Sequence, residues 1–236
     1  MKKKFSLLVV ILTVLFVYTS DYIEEFKSNA LSLDEKKEII SIDDILSYDG
    51  KDYVVINDNV PKFDVSDENL DVFETYYELD SLGRATGGYA MIDKSLMPSE
   101  DRGSIGSVKP SGWHTVKYDI VPGKYLFNRC HLIGYQLTGE NANEKNLITG
   151  TRQFNVDSML MFENLVADYI KETGDKVLYR VTPIYDGNNL VASGVQMEAK
   201  SIIDNGDSVL FNVFVYNVQK GIKIDYKTGE SNLIEN

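Results

Sequence analysis

Cysteine is almost missing from this chain, with Cys130 the only one. An internal disulfide is therefore excluded, and stability has to come from burial. Histidine is nearly as scarce, with His114 and His131 the only two, so any histidine chemistry falls to one of them. Tryptophan occurs once against 15 tyrosines, a balance that suits a β-rich packed domain. No internal repeat or low-complexity tract is present, and nothing resembles a recognition helix or a zinc finger, which argues against base-specific DNA reading. Positive charge is also short: 24 Lys and Arg stand against 36 Asp and Glu, a formal net of −12. Phosphate binding usually shows as a basic footprint.

The distribution of that charge matters more than its total. Residues 21–80 hold 18 acidic and 5 basic residues, a net of −13, whereas residues 101–165 hold 6 acidic and 7 basic, a net of +1. The acidity belongs to the N-terminal third, which reads first as a solvated, solubilising surface and second as a regulatory segment. Three lysines at 2–4 precede an uncharged run, "FSLLVVILTVLFVY", over residues 5–18. A basic start followed by an apolar stretch of this length reads as a secretory signal, and it falls short of the ~20 residues that span a bilayer comfortably. "VYTS" has no A-x-A cleavage pattern, so residues 1–20 are either a signal peptide or a retained membrane anchor. The expected location is secreted or on the cell surface. About 215 residues then remain, enough for one substantial core. They divide by composition into an acidic region at 21–80 and a domain at 81–236.

Hydrophobic patterning predicts a short charged helix over 32–46 and strands at 52–58 and 87–93. Residues 97–112, "MPSEDRGSIGSVKPSG", predict a surface loop. Strands follow at 125–133 and from 146, separated by the turn chemistry of "TGENANEK". Met159, Phe162, Val166, Tyr169 and Ile170 recur at helical spacing and predict a helix over 156–173, with Asn155 as its N-cap and Gly174 as its C-terminal cap. Three more strands, within 176–185, 190–199 and 209–219, suit an antiparallel sheet. The fold class is α+β with a central antiparallel β-sheet.

The chemistry gathers in "FNRCHLIGYQL", residues 127–137. In a strand, Arg129 and His131 share one face and Cys130 points to the other. Cys130 is then a small core residue, and a Cys–His nucleophilic pair is disfavoured. A cation beside a neutral imidazole suits an anionic substrate whose attacking water needs a base. Asn155 and Glu163, eight residues apart, lie about 80° apart around an ideal helix, so both can line one side. An amide oxygen can ligate Mg²⁺, which keeps several waters and accepts few protein ligands. The competing readings are a packed core histidine at 131, an ordinary cap at Asn155 and a solvated face at Glu163.

The stretch "YLFNRCHLIGYQLTGENANEKNLITGTRQFNVDSMLMFENLVADYI" resembles the core of the DNA/RNA non-specific endonucleases, in particular the secreted streptococcal DNases, over roughly residues 84–230. The resemblance implies a ββα-metal (His-Me finger) site and a Mg²⁺-dependent, sequence-non-specific endonuclease that favours DNA, with RNA as a secondary substrate and Mn²⁺ as a substitute ion. It implies His131 as general base, Asn155 as the direct metal ligand and Glu163 as the holder of the metal's water shell. Asn146 would orient His131 or the phosphate, and Arg129 would lie against the scissile phosphate. Many relatives read D-R-G-H where this chain has Asn128-Arg129-Cys130-His131. An arginine that some carry one turn after the glutamate is replaced by Ala167, leaving Arg152 as the candidate for its phosphate contact. Products with 5′-phosphate ends are implied. No protein partner is inferred, and membrane contact arises only through an uncleaved N-terminal segment. His114 is the rival base. The reading from another class is a non-enzymatic secreted host-interaction or adhesion module that kept the fold.

Overall fold

The computed structural model describes residue 45 and residues 47–235. The expected signal at 1–20, and the helix expected at 32–46 apart from residue 45, lie outside these residues. Among the described residues, no helix is long and apolar enough to cross a membrane.

The three late apolar runs form β6 (Val177–Ile184), β7 (Gly194–Ser201) and β8 (Leu210–Tyr216), which pair antiparallel in succession. Three earlier strands, β1 (Tyr53–Val55), β2 (Phe73–Tyr76) and β3 (Gly88–Ile92), complete a six-stranded sheet of order β1-β8-β7-β6-β3-β2. The acidic third therefore supplies both edges of the sheet, although composition alone set it apart.

Alternation gives the sheet two different faces. On one, Ala90, Tyr179, Val181, Val195, Met197, Val213 and Val215 enter the main apolar core. The opposite face carries buried polar residues, among them Arg180, Gln196, Glu198 and Asn212. Arg180 Nε donates to Glu198 Oε2 at 2.7 Å, and its Nη2 donates to the Lys62 carbonyl at 2.8 Å. The Lys62 backbone N–H in turn donates to Glu198 Oε1 at 2.9 Å, Tyr89 donates to Asp67 Oδ2 at 2.9 Å, and Asn212 donates to the Val60 carbonyl at 2.8 Å. Buried polar groups need partners, and here residues 60–67 provide them. This part of the acidic region covers the sheet rather than standing free in solvent.

The core of the first face is closed by a hairpin and a helix. The hairpin pairs β4 (Phe127–His131) with β5 (Leu147–Thr151), antiparallel, with His131 opposite Leu147. A one-turn helix, α1 (Tyr135–Thr138), lies in the connection. After β5 the chain enters a π-helical turn, Phe154–Met159, that runs into α2 (Leu160–Thr173). Gly174 closes α2 in the left-handed region, φ 76°, its N–H donating to the Ile170 carbonyl at 2.9 Å, as the sequence predicts. The start differs. Thr151 Oγ1 accepts the Phe154 N–H at 3.0 Å, so the helix is capped four residues before Asn155. Asn155 is not an N-cap but sits inside the π turn. Single π turns inside helices are frequent at functional sites.

Cys130 is fully buried in the main core, on the face opposite His131, as alternation requires. Its diagonal neighbour on β5 is tight: a Cβ at Gly150 would lie 2.2 Å from Cys130 Sγ and 2.7 Å from Phe154 Cδ1. Gly150→Ala is therefore expected to lower stability by about 1–3 kcal/mol through overpacking, read as a lower urea midpoint at unchanged m-value.

Candidate active site

The end of β4, the first residues of α1 and the π turn with α2 enclose a cleft of about 300 Å³. His131, Asn155 and Glu163 all line it, together with Gly134, Gln136 and Arg102. The strand places the imidazole and the helix places the amide and carboxylate.

His131 is only 6% exposed. Its Nε2 lies 2.8 Å from the Asn141 carbonyl oxygen. A carbonyl can only accept, so Nε2 carries the hydrogen and donates. The neutral ring then has its one lone pair on Nδ1. Burial pushes the His131 pKa down to about 4, and the positive charge of Arg102 acts in the same direction against the Asn141 hydrogen bond. The ring is therefore neutral at physiological pH and is a proton acceptor at Nδ1. This is not a merely packed core histidine.

Glu163 is 9% exposed rather than on a solvated helix face. Burial raises its pKa to about 7, while the charge of Arg102 and a hydrogen bond from Gln136 oppose the rise. Its carboxylate rests against bare backbone: a Cβ at Gly134 would stand 2.7 Å from Oε2 and 2.8 Å from Cδ. Asn155 is half-buried, and among the described residues its side chain has no hydrogen-bond partner. An uncommitted amide oxygen beside a buried carboxylate is a hard-oxygen donor set, which suits a divalent cation that keeps most of its waters. No group of three or more His, Cys, Asp or Glu suited to a metal occurs among the described residues. The donor set fits an ion held by one amide and by water.

Asn146, Arg129 and Arg152 fall outside the cleft wall. Asn146, fully buried, accepts the Ile133 N–H at 2.9 Å and donates to the Ile133 carbonyl at 3.0 Å. It clamps the backbone two residues past His131 and touches neither the ring nor the cleft. Arg129 shares the His131 face of β4, as predicted, but its long side chain turns away. It donates to the carbonyls of Val108 and Gly106 and stacks over Trp113 at 4.1 Å. Its donors hold the 106–113 loop. Arg152 makes a long 3.5 Å contact to Asn128 Oδ1. His114 donates to or accepts no group of this cleft; its Nε2 pairs with the Thr228 carbonyl at 3.0 Å, in a separate pocket with Glu230 and Asn232.

Arg102 is the residue that sequence reasoning missed. It comes from the Gly/Ser/Pro-rich loop, and its Nη2 lies 3.1 Å from His131 Nδ1. Loops carry no periodicity that would aim a side chain, so its only advance signal was being one of few cations in a neutral stretch.

Comparison with known proteins agrees with this fold. The model of the DNA/RNA non-specific endonuclease family matches residues 65–202, a span that begins inside the acidic third. NucA from Streptococcus agalactiae, solved both without metal and with a magnesium ion bound, is 28% identical, with a TM-score of 0.67 over 76% of this chain and 86% of that one. The Sda1 nuclease, solved with a bound zinc ion, is also 28% identical, with a TM-score of 0.57 over 70% of this chain and 82% of that one. An extracellular endonuclease at 21% identity shares the fold, with a TM-score of 0.57.

Proposed function

From the premise that this chain belongs to the DNA/RNA non-specific endonuclease family, a family of metal-dependent phosphodiester hydrolases, we propose that it is an exported, Mg²⁺-dependent, sequence-non-specific endonuclease worked by the His131–Asn155–Glu163 cleft. The observation that carries this reading is the tautomer of His131. The Asn141 carbonyl fixes the hydrogen on Nε2 and leaves Nδ1 as the acceptor, in a cleft shared with a free amide and a buried carboxylate.

Each residue then has a task. His131 takes the proton of the attacking water at Nδ1. Asn155 would hold the ion through its amide oxygen, and Glu163, held against Gly134, would accept hydrogen bonds from the ion's waters. Arg102, the only cation lining the metal-free cleft, comes from an exposed loop, so its charge remains at the rim for an anionic phosphodiester even when the side chain leaves the cleft. Asn146 and Arg129 position the strand end and the loop without touching substrate. When bound, Mg²⁺ or a substituting Mn²⁺ supplies charge to the leaving oxygen, worth several kcal/mol as a rough figure. Loss of the O3′ bond leaves 5′-phosphate and 3′-hydroxyl ends. DNA and RNA both present such a backbone, and nothing in the cleft reads base edges. Export rests on the leader-like residues 1–20. The non-enzymatic alternative is not retained, because the cleft keeps a usable base and an open ligand.

The test is degradation of plasmid DNA by the protein after export. Excess EDTA is expected to stop cleavage, and Mg²⁺ in excess of chelator to restore it. The fragments should rejoin with DNA ligase and accept a radiolabelled 5′-phosphate only after phosphatase treatment. Cleavage that persists in EDTA, or fragments with 3′-phosphates, overturns the reading.

A further inference from the structure

Building on the metal site proposed above, we propose that Arg102 is a built-in counter-ion of the metal-free enzyme: its guanidinium holds the base and the cleft until a divalent cation displaces it.

Both nitrogens of His131 are engaged. Nε2 donates to Asn141, and the single lone pair, on Nδ1, faces Arg102 Nη2 at 3.1 Å. A guanidinium is a donor only. While it sits there, Nδ1 cannot accept a proton from water, so the imidazole becomes a working base only after Arg102 leaves.

Charge says what makes it leave. Arg102 is the only cation among the residues lining the cleft, and the cleft's one carboxylate is Glu163. The guanidinium charge acts on both Glu163 and His131. It offsets a buried acid that would otherwise face the cleft without compensation. A divalent ion taken up by Asn155 serves the same carboxylate with twice the charge, and within about 300 Å³ the two cations repel.

The loop is built for this placement. The Tyr135 hydroxyl donates to the Glu100 carbonyl at 2.9 Å, and a Cβ at Gly103 would come within 2.7 Å of Asn141 Nδ2. Residues on either side of Arg102 are thereby seated against the cleft rim, Gly103 touching the residue whose carbonyl fixes the His131 tautomer. The Arg102 side chain itself is exposed, and its hydrogen bond to His131 is its only one among the described residues. It can swing out without breaking the core.

The test is Mg²⁺ titration by calorimetry, without nucleic acid, of the wild type and of Arg102→Gln, Arg102→Lys and Asn155→Ala. Nitrogen NMR of the two histidines accompanies each titration. Arg102→Gln is expected to bind Mg²⁺ about 10-fold tighter, within the usual range of site-to-site coupling. Arg102→Lys, which keeps the charge, should stay near the wild type. Mg²⁺ should move the wild-type His131 ring signals toward those of metal-free Arg102→Gln and leave His114, in its separate pocket, unmoved. Equal affinity in wild type and Arg102→Gln, equal tightening in Arg102→Lys, or His131 signals that ignore bound Mg²⁺ each overturn the counter-ion. If binding is lost in Asn155→Ala while Arg102→Gln equals the wild type, only the counter-ion fails. If no variant nor the wild type binds Mg²⁺, the metal reading fails with it.

Discussion

Replacing His131 with alanine is expected to cut the rate of plasmid cleavage by ~10²–10⁴, the usual contribution of a positioned general base, while the protein stays folded. The rate loss follows from the tautomer. Nδ1 is the one uncharged nitrogen acceptor facing the cleft, and His114, the other histidine, lies in a different pocket. The fold should tolerate the change because the ring's hydrogen bonds run to one loop carbonyl and one exposed arginine. The Leu132 N–H still donates to the Asn146 carbonyl, and Asn146 still clamps Ile133. Single-turnover cleavage, alongside circular dichroism and a thermal melt, checks both halves. Wild-type cleavage by a folded His131→Ala protein would falsify the base assignment.

Asn155→Ala is expected to raise the Mg²⁺ concentration needed for half-maximal cleavage by ~10²-fold, the upper end seen when a metal site loses a supporting group. The side chain has no partner within the described residues, so its removal should leave the melting temperature unchanged. The two variants should respond differently to the ion. Raising Mg²⁺ should recover part of the Asn155→Ala rate, because what it loses is affinity. It should recover none of the His131→Ala rate, because what that variant loses is a proton acceptor. Asn155→Asp, which keeps an oxygen donor, should bind Mg²⁺ more tightly than Asn155→Ala. A plot of rate against Mg²⁺ concentration for the three proteins separates these outcomes.

Much of this was legible in the chain because period-2 and helical patterning are local. The long apolar strands of the sheet, the His131–Arg129 face of β4, the burial of Cys130 and the Gly174 cap all follow from spacing. What failed to show was set by contacts distant in sequence. "FETY" of β2 carries too few apolar residues to read as a strand, and it forms one because β3 offers an edge. The covering role of residues 60–67 depends on Arg180 and Glu198, more than a hundred residues later. Asn155 reads as a cap because a π turn and an α-helical turn look alike in sequence. Thr151, the actual cap, lies in a run that reads as a strand. The contacts of Arg129 with the 106–113 loop do not show in the sequence, since alternation fixes where a side chain starts and not where its guanidinium ends. Arg102 reached the cleft from an aperiodic loop, and only coordinates could bring it there.

The most direct measurement is anomalous diffraction from crystals soaked in Mn²⁺. The expected result is one peak in the cleft, bonded to Asn155 Oδ1, with Glu163 on its water shell and His131 Nδ1 facing the open side. A peak elsewhere, with Asn155 uncoordinated, contradicts the site described here.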